Sequence, residues 1–255
     1  MRVLLVLVVA VAAVAAAPKN PQRIVGGDQT TIDQYPHMVA LLHSFSTTGH
    51  RQLCGGTIIN NRAVLTVAHC SIGDPVFRWQ MRAGSTYANS GGIVYTVAAI
   101  ISHPGFTFEI LENDVGIFQS TTPIIFTNVI QPASIAGPNY FVGDNEEVWA
   151  SGWGLLWYNG PQLEELRHVQ LWTVNHEVCR DSYADINLFI STKMLCAGWF
   201  GVGGRDQCAG DSGGPVYHNG VVVGITSWAW QCGHALWPGV NTRVSNFTSW
   251  IVNNA

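Results

Sequence analysis

Three residues with a shared chemistry stand far apart in this 255-residue chain. Ser212 lies within Gly210-Asp211-Ser212-Gly213-Gly214-Pro215, His69 ends the run Leu65-Thr66-Val67-Ala68 just before Cys70, and Asp114 heads Val115-Gly116-Ile117-Phe118. A serine hydroxyl is a poor nucleophile until a base takes its proton, and imidazole is the base suited to that task. The imidazole in turn needs a carboxylate to fix its tautomer and stabilise its charged form. Ser212, His69 and Asp114 therefore describe attack on a carbonyl through an acyl intermediate. The glycines around Ser212 let the backbone turn tightly, so the N–H groups of Gly210 and Ser212 can face the negative oxygen of a tetrahedral intermediate. Taken singly, a packed histidine, a turn aspartate and a loop serine would be the ordinary readings; their combination carries the inference.

Such groups need a scaffold that joins distant segments. Short β-rich runs at 38–44, 56–59, 64–66, 94–101, 114–117, 147–151, 169–174, 215–217, 221–228 and 239–244 are separated by glycine, proline and asparagine turns. This spacing predicts an all-β antiparallel sandwich or barrel. A short helix is expected over 175–184, and another at the C-terminus, capped by Ser245 or Asn246 and running to Val252. No repeat or linker divides the chain, so any two lobes must pack closely.

Apolar residues make up 47% of the chain and charged residues 11%, with 27 glycines, which fits a loop-rich folded protein. Residues 1–17 have a basic residue at Arg2, an apolar run and small residues through Ala17, the layout of a secretory signal peptide and too short for a membrane span. Residues 18–23 read as a polar tether. Secretion makes Cys54, Cys70, Cys179, Cys196, Cys208 and Cys232 candidates for three disulfides, whose pairing spacing alone does not choose. No closely spaced Cys/His set suggests a metal. Without residues 1–23 the chain keeps nine basic and sixteen acidic residues, a formal charge of −7, which argues against nucleic acid or an anionic membrane as partner. Eight of those nine basic residues are arginines, which hold their charge where lysine loses it; the bias is compatible with an alkaline extracellular medium.

These motifs, with Ile24-Val25-Gly26-Gly27, Asn113-Asp114-Val115-Gly116, Cys196-Ala197-Gly198, Ser227-Trp228 and Pro238-Gly239-Val240, resemble the chymotrypsin-like serine proteases, trypsin branch, over residues 24–255. The wording around Cys54 and His69 and the scarcity of lysine are most similar to insect digestive trypsins, particularly those of moth and caterpillar midgut. The resemblance implies two packed six-stranded antiparallel β-barrels with a C-terminal helix and the site between the barrels. It also implies the pairs Cys54–Cys70, Cys179–Cys196 and Cys208–Cys232, an oxyanion hole at Gly210 and Ser212, and no cofactor. Cleavage at Arg23–Ile24 would free an α-amine to pair with Asp211, so residues 18–23 would be an activation propeptide and 24–255 the protease domain. Implied partners are polypeptide substrates, protein protease inhibitors and an activating protease, for a secreted monomer. A tissue or haemolymph regulatory protease, or an inactive protease-like binding protein, are the competing functions; the short propeptide and the intact triad favour digestion.

In that family the acid six residues before the nucleophile, here Asp206, lies at the floor of the substrate pocket and selects Arg or Lys before the cut. Ser227, Trp228 and Gly239 match the pocket walls. Gln207 and Ala229 stand where smaller residues are usual, and Trp230 and Gln231 are bulkier than the family pattern. Gln207 is expected to crowd the floor or to offer a second polar partner. Ala229 narrows the wall, which keeps a chymotrypsin-like or elastase-like preference open as the alternative. The family's calcium loop corresponds to 84–96, which has no carboxylate, so no metal is expected there. Asn246-Phe247-Thr248 is a glycosylation sequon.

Overall fold

The computed structural model describes residues 25–45 and 49–255; the expected signal peptide, propeptide and Arg23–Ile24 bond lie outside the described residues. The chain enters through β1 (Asp28–Gln29) and then builds β2 (Met38–His43), β3 (Arg51–Ile58), β4 (Ala63–Thr66), β5 (Trp79–Ala83), β6 (Ile93–Ser102) and β7 (Gly116–Ser120). These last six close into an antiparallel barrel in the order β2-β3-β4-β7-β6-β5. After β8 (Ser134–Ile135) come β9 (Glu147–Gly152), β10 (Arg167–Thr173), helix α1 (His176–Ala184), β11 (Met194–Gly198), β12 (Pro215–His218), β13 (Val221–Trp228) and β14 (Gly239–Arg243). The order β10-β11-β14-β13-β12-β9 closes where β10 pairs back on β9, with Arg167 opposite Gly152 and Trp172 opposite Glu147. The fold is thus two six-stranded antiparallel barrels, as the sequence predicts.

The residue pattern explains each wall. β10 alternates strictly, burying Val169 and Leu171 and turning His168, Gln170 and Trp172 outward, the period of a strand with one covered face. β2 is buried throughout. Val39 and Leu41 join Trp79, Met81 and Phe118 inside the first barrel, while Met38, Ala40 and Leu42 pack with Trp153 and Leu166 on its outside. Between the barrels, Leu65, Val67 and Ile117 meet Val148, Val216 and Ile225 in one continuous core.

A polar seam crosses the same boundary. Tyr217 on β12 and His37, just before β2, share a 2.7 Å hydrogen bond, and Tyr35 bonds His168 at 2.7 Å. Ser151 donates to the Tyr217 hydroxyl, so that hydroxyl is free to donate to an unprotonated His37. Burial pushes His37 down to about 4 from its ordinary value of 6.5. A depressed folded-state pKa on a base means that the unfolded chain takes up the proton first. The seam's contribution is full above pH 6.5 and is lost as pH falls towards 4. The urea midpoint is expected to drop over this interval by the equivalent of about 3 kcal/mol, and His37→Gln should remove that component. Equal pH slopes for the two proteins would contradict this reading.

Three disulfides tie the segments around the cleft. Cys54–Cys70 joins β3 to the turn bearing His69, Cys179–Cys196 joins α1 to β11, and Cys208–Cys232 spans the loops on either side of a cavity. Loops of this length are worth about 3 kcal/mol each in the chain-entropy account. Asn175 caps α1, its side chain accepting from the N–H groups of Glu177 and Val178.

The C-terminal helix departs from expectation. It runs from Thr248 to Asn254 as α2, after a 3-10 turn at Val244–Asn246, and neither Ser245 nor Asn246 caps it. The Thr248 hydroxyl instead donates to the Ala136 carbonyl at 2.7 Å, docking the helix by its first residue. β1, β5, β8 and β11 are strands that the spacing did not mark, and Asp114 precedes its strand instead of opening it. Among the described residues, no helix is long and apolar enough to cross a membrane.

Candidate active site

β4 leads directly into a turn at Ala68, whose carbonyl accepts from the N–H groups of Ser71 and Ile72, and this turn presents His69. On the neighbouring strand, Asp114 stands just before β7 and is almost wholly buried. Its Oδ1 accepts the His69 backbone N–H at 2.9 Å, and its Oδ2 faces the ring Nδ1 at 2.7 Å. Ser227 Oγ, from β13 of the second barrel, donates to the same Oδ2 at 2.5 Å. Three donors converge on one buried carboxylate. The imidazole, in contrast, remains partly open to solvent.

Ser212 arrives from the opposite barrel. Its carbonyl accepts the Gly55 N–H of β3 at 2.8 Å, fastening the serine loop across the cleft. The close approach depends on Gly213, which has φ of +83°, and a Cβ there would overlap the Thr66 hydroxyl and the Gly55 carbonyl. No hydrogen bond joins His69 to Ser212 among the described residues, a common state before substrate fills a site. The N–H of Asp211 donates to the Cys208 carbonyl at 2.9 Å, whereas the N–H groups of Gly210 and Ser212 donate to nothing among the described residues. A pair of free donors beside a serine hydroxyl is what an oxyanion requires.

Ser212 lines a cavity of about 230 Å³ together with Gln207, Ala209, Ser227, Trp228, Ala229 and Gln231. Of the residues expected to bind substrate, Gln207, Ser227, Trp228 and Ala229 are on its wall; Asp206 and Gly239 are not. Asp206 lies one layer beneath. Its Oδ1 accepts from Gln207 N and its Oδ2 from Gly233 N, both at 2.9 Å. Gly239 leaves room for this layer, since a Cβ on it would come within 2.5 Å of Asp206 Oδ1 and 2.6 Å of Gln207 Nε2. Gln207 bends to donate to Asn241 Oδ1 at 2.7 Å, and its own Oε1 is buried without a partner. Trp230 lies on a neighbouring groove with Trp228, Phe108 and Phe189, not on this cavity. The part played by Asn241 escaped sequence reasoning because an amide in a strand has no chemical signature until its neighbour is known.

Two carboxylates here are fully desolvated. Burial pushes Asp206 up to about 8 and Asp211 up to about 6, against the N–H donors that favour their charged forms. Asp211 accepts from Gly154 N at 2.7 Å and Cys208 N at 2.9 Å. Neither acid has a cationic partner among the described residues. The Val25 carbonyl accepts the Asp206 N–H at 3.0 Å, so the chain immediately after Ile24 is seated beside this loop.

Comparison with known proteins agrees with this geometry. The family model described as Trypsin matches residues 24–251. The chain is 57% identical over 256 residues to "Trypsin, alkaline A" of Manduca sexta and 53% identical over 256 residues to "Trypsin CFT-1" of Choristoneura fumiferana, covering all of each chain. It is 48% identical to "Achelase-1" of Lonomia achelous over 236 residues, 91% of this chain and all of the relative.

Proposed function

The chain belongs to the trypsin family and is a serine endopeptidase; from that premise we propose that it is a secreted digestive zymogen that cuts after Arg or Lys. Residues 1–17 are its signal peptide, 18–23 its activation propeptide and 24–255 its protease domain. Ser212 is the nucleophile, His69 the general base and Asp114 the acid that orients the base. The N–H groups of Gly210 and Ser212 stabilise the oxyanion. Cleavage at Arg23–Ile24 supplies an α-amine to Asp211, and that buried pair orders the serine loop. Its partners are polypeptide substrates, protein inhibitors and an activating protease.

The specificity rests on one observation above the others. Asp206 is a buried carboxylate with no cationic partner among the described residues, beneath a cavity whose wall carries Ser212. Ionising such a group costs stability, and a substrate cation in the cavity offsets that cost. Arg and Lys supply the charge; Phe and Leu leave the acid unpaired. Ala229 and Gln207 narrow the route, so the slimmer lysine is expected to fare at least as well against arginine as an open pocket would allow.

The test is to cleave purified precursor at Arg23 and compare kcat/KM for peptides ending in Arg, Lys, Phe and Leu, with an Arg23→Gln precursor as the silent control. Basic residues should be preferred by about 10²-fold or more, the scale of an unpaired buried charge. A Phe or Leu preference, or an active control, overturns the assignment. The pH dependence follows from Asp206. Below about 8 the empty pocket holds a neutral acid, so binding of benzamidinium must release a proton. Its Kd should tighten by about tenfold per pH unit up to that value and level off above it. Calorimetry in two buffers of different ionisation enthalpy reads the released proton directly; no release at pH 6 contradicts the account.

A further inference from the structure

Gly210 has φ of +94°, in the left-handed region where only glycine rotates without penalty. Its N–H is useful to an oxyanion only while the two peptide planes flanking it stay fixed. The plane before it is held by Leu155, whose N–H donates to the Ala209 carbonyl at 2.8 Å. The plane after it is held from the other barrel. Gln52 on β3 is buried and sends Nε2 to the Gly210 carbonyl at 2.8 Å and to the Cys54 carbonyl at 3.1 Å. With both amide hydrogens spent on carbonyls, Gln52 Oε1 has to accept, and Gln162 Nε2 donates to it. The orientation of both amides is therefore fixed by the donor count.

The support continues behind Gln52. Its backbone N–H donates to Asn89 Oδ1 at 2.8 Å, and Asn89 donates twice to Glu164, from its own N–H at 3.0 Å and from Nδ2 at 2.7 Å. Gln162 and Glu164 belong to the same surface segment as Leu155, so this segment grips Gly210 on one side directly and on the other through Gln52. Gln162 also closes the space beside Gly210, where a Cβ would meet its Nε2 at 3.2 Å.

We propose that Gln52, locked by Gln162, is a positioning residue for catalysis that holds the Gly210 peptide so that its N–H meets the oxyanion. The inference rests on the reading of Gly210 as an oxyanion donor. Loss of one such donor typically lowers kcat by about 10²- to 10³-fold; losing a residue that only aims it should cost less, roughly 10- to 100-fold.

The experiment uses the cleaved enzyme with Gln52→Leu and Gln162→Leu, the second a change on an exposed side chain. Expected for Gln52→Leu is a roughly 10- to 100-fold fall in kcat with KM within about twofold, for Gln162→Leu a smaller fall of about 3- to 10-fold, and for the double variant no more than Gln52→Leu alone. A peptide boronate, which mimics the tetrahedral adduct, should lose affinity by the same factor as kcat, while benzamidinium, which occupies only the pocket, should bind unchanged. If Gln52→Leu does not fold, the fall in kcat and boronate affinity for Gln162→Leu decides. Unchanged kcat in the folded variants, or parallel losses of kcat, benzamidinium affinity and Tm, overturn the proposal. A wild-type enzyme that binds the boronate no better than a substrate would instead overturn the reading of Gly210 itself.

Discussion

Replacing Ser212 by alanine in the cleaved enzyme is expected to lower kcat by about 10⁶-fold, the scale found when a serine protease loses its nucleophile, while peptide affinity stays within about threefold. The separation follows from where the hydroxyl sits. The cavity proposed to receive the side chain before the cut is walled by Gln207, Ala209, Ser227, Trp228, Ala229 and Gln231, none of which the change replaces. The serine's carbonyl stays bonded to Gly55, and the free N–H groups of Gly210 and Ser212 remain available. Ground-state binding and part of the oxyanion stabilisation therefore survive, and only the attacking atom is lost. Stopped-flow kinetics should show no acyl intermediate, with residual turnover coming from water. A fall in kcat below 10³-fold, or a matching loss of peptide affinity, would mean that another group attacks.

Asp114→Asn is the second large effect, about 10⁴-fold in kcat, the size typical of this change in serine protease triads. The carboxylate accepts from three donors: the His69 N–H, the His69 ring and the Ser227 hydroxyl. An amide offers one oxygen and one NH₂. If the NH₂ faces the ring, Nδ1 must become the acceptor, the proton moves to Nε2, and the nitrogen that should take the serine proton no longer has a lone pair. If the NH₂ faces the backbone, two donors oppose each other at 2.9 Å separation, in a site from which water is excluded. Imidazole nitrogen shifts in labelled enzyme should report the Nε2–H tautomer in the variant and Nδ1–H in the native protein. An unchanged tautomer with full activity would remove Asp114 from the mechanism.

The sequence speaks clearly where side chains have rare chemistry. Ser212, His69 and Asp114 could be named before any fold was known, since few other purposes combine those residues with the glycines of 210–214. β10 and β2 were also legible, one from alternation and one from an unbroken apolar run. β5 escaped although Trp79-Gln80-Met81-Arg82-Ala83 alternates perfectly, because the arginine and glutamine that line its outer face are equally good helix formers. β11, Met194-Leu195-Cys196-Ala197-Gly198, is buried on both faces and offers no period to read.

Side-chain direction was the least legible feature. Gln207 lines the cavity as residue type suggests, but its amide is aimed by Asn241, 34 residues away, a partner that the sequence does not mark. Gln52 is an ordinary amide in a strand until Gly210, 158 residues distant, is brought against it. Ser245 and Asn246 looked like helix caps, but they fall in a 3-10 turn, and the first helical residue, Thr248, is instead bonded to Ala136 in a distant segment. In each case the deciding partner is remote in the chain, and residue type alone carries no trace of it.

The most direct measurement is covalent labelling with a fluorophosphonate, followed by peptide mapping, on precursor before and after cleavage at Arg23. Modification of Ser212 alone, fast after cleavage and nearly absent before it, is the predicted result. Labelling at another residue, or equal rates on the intact and cleaved chains, would contradict a Ser212 nucleophile that is switched on by the pairing of Ile24 with Asp211.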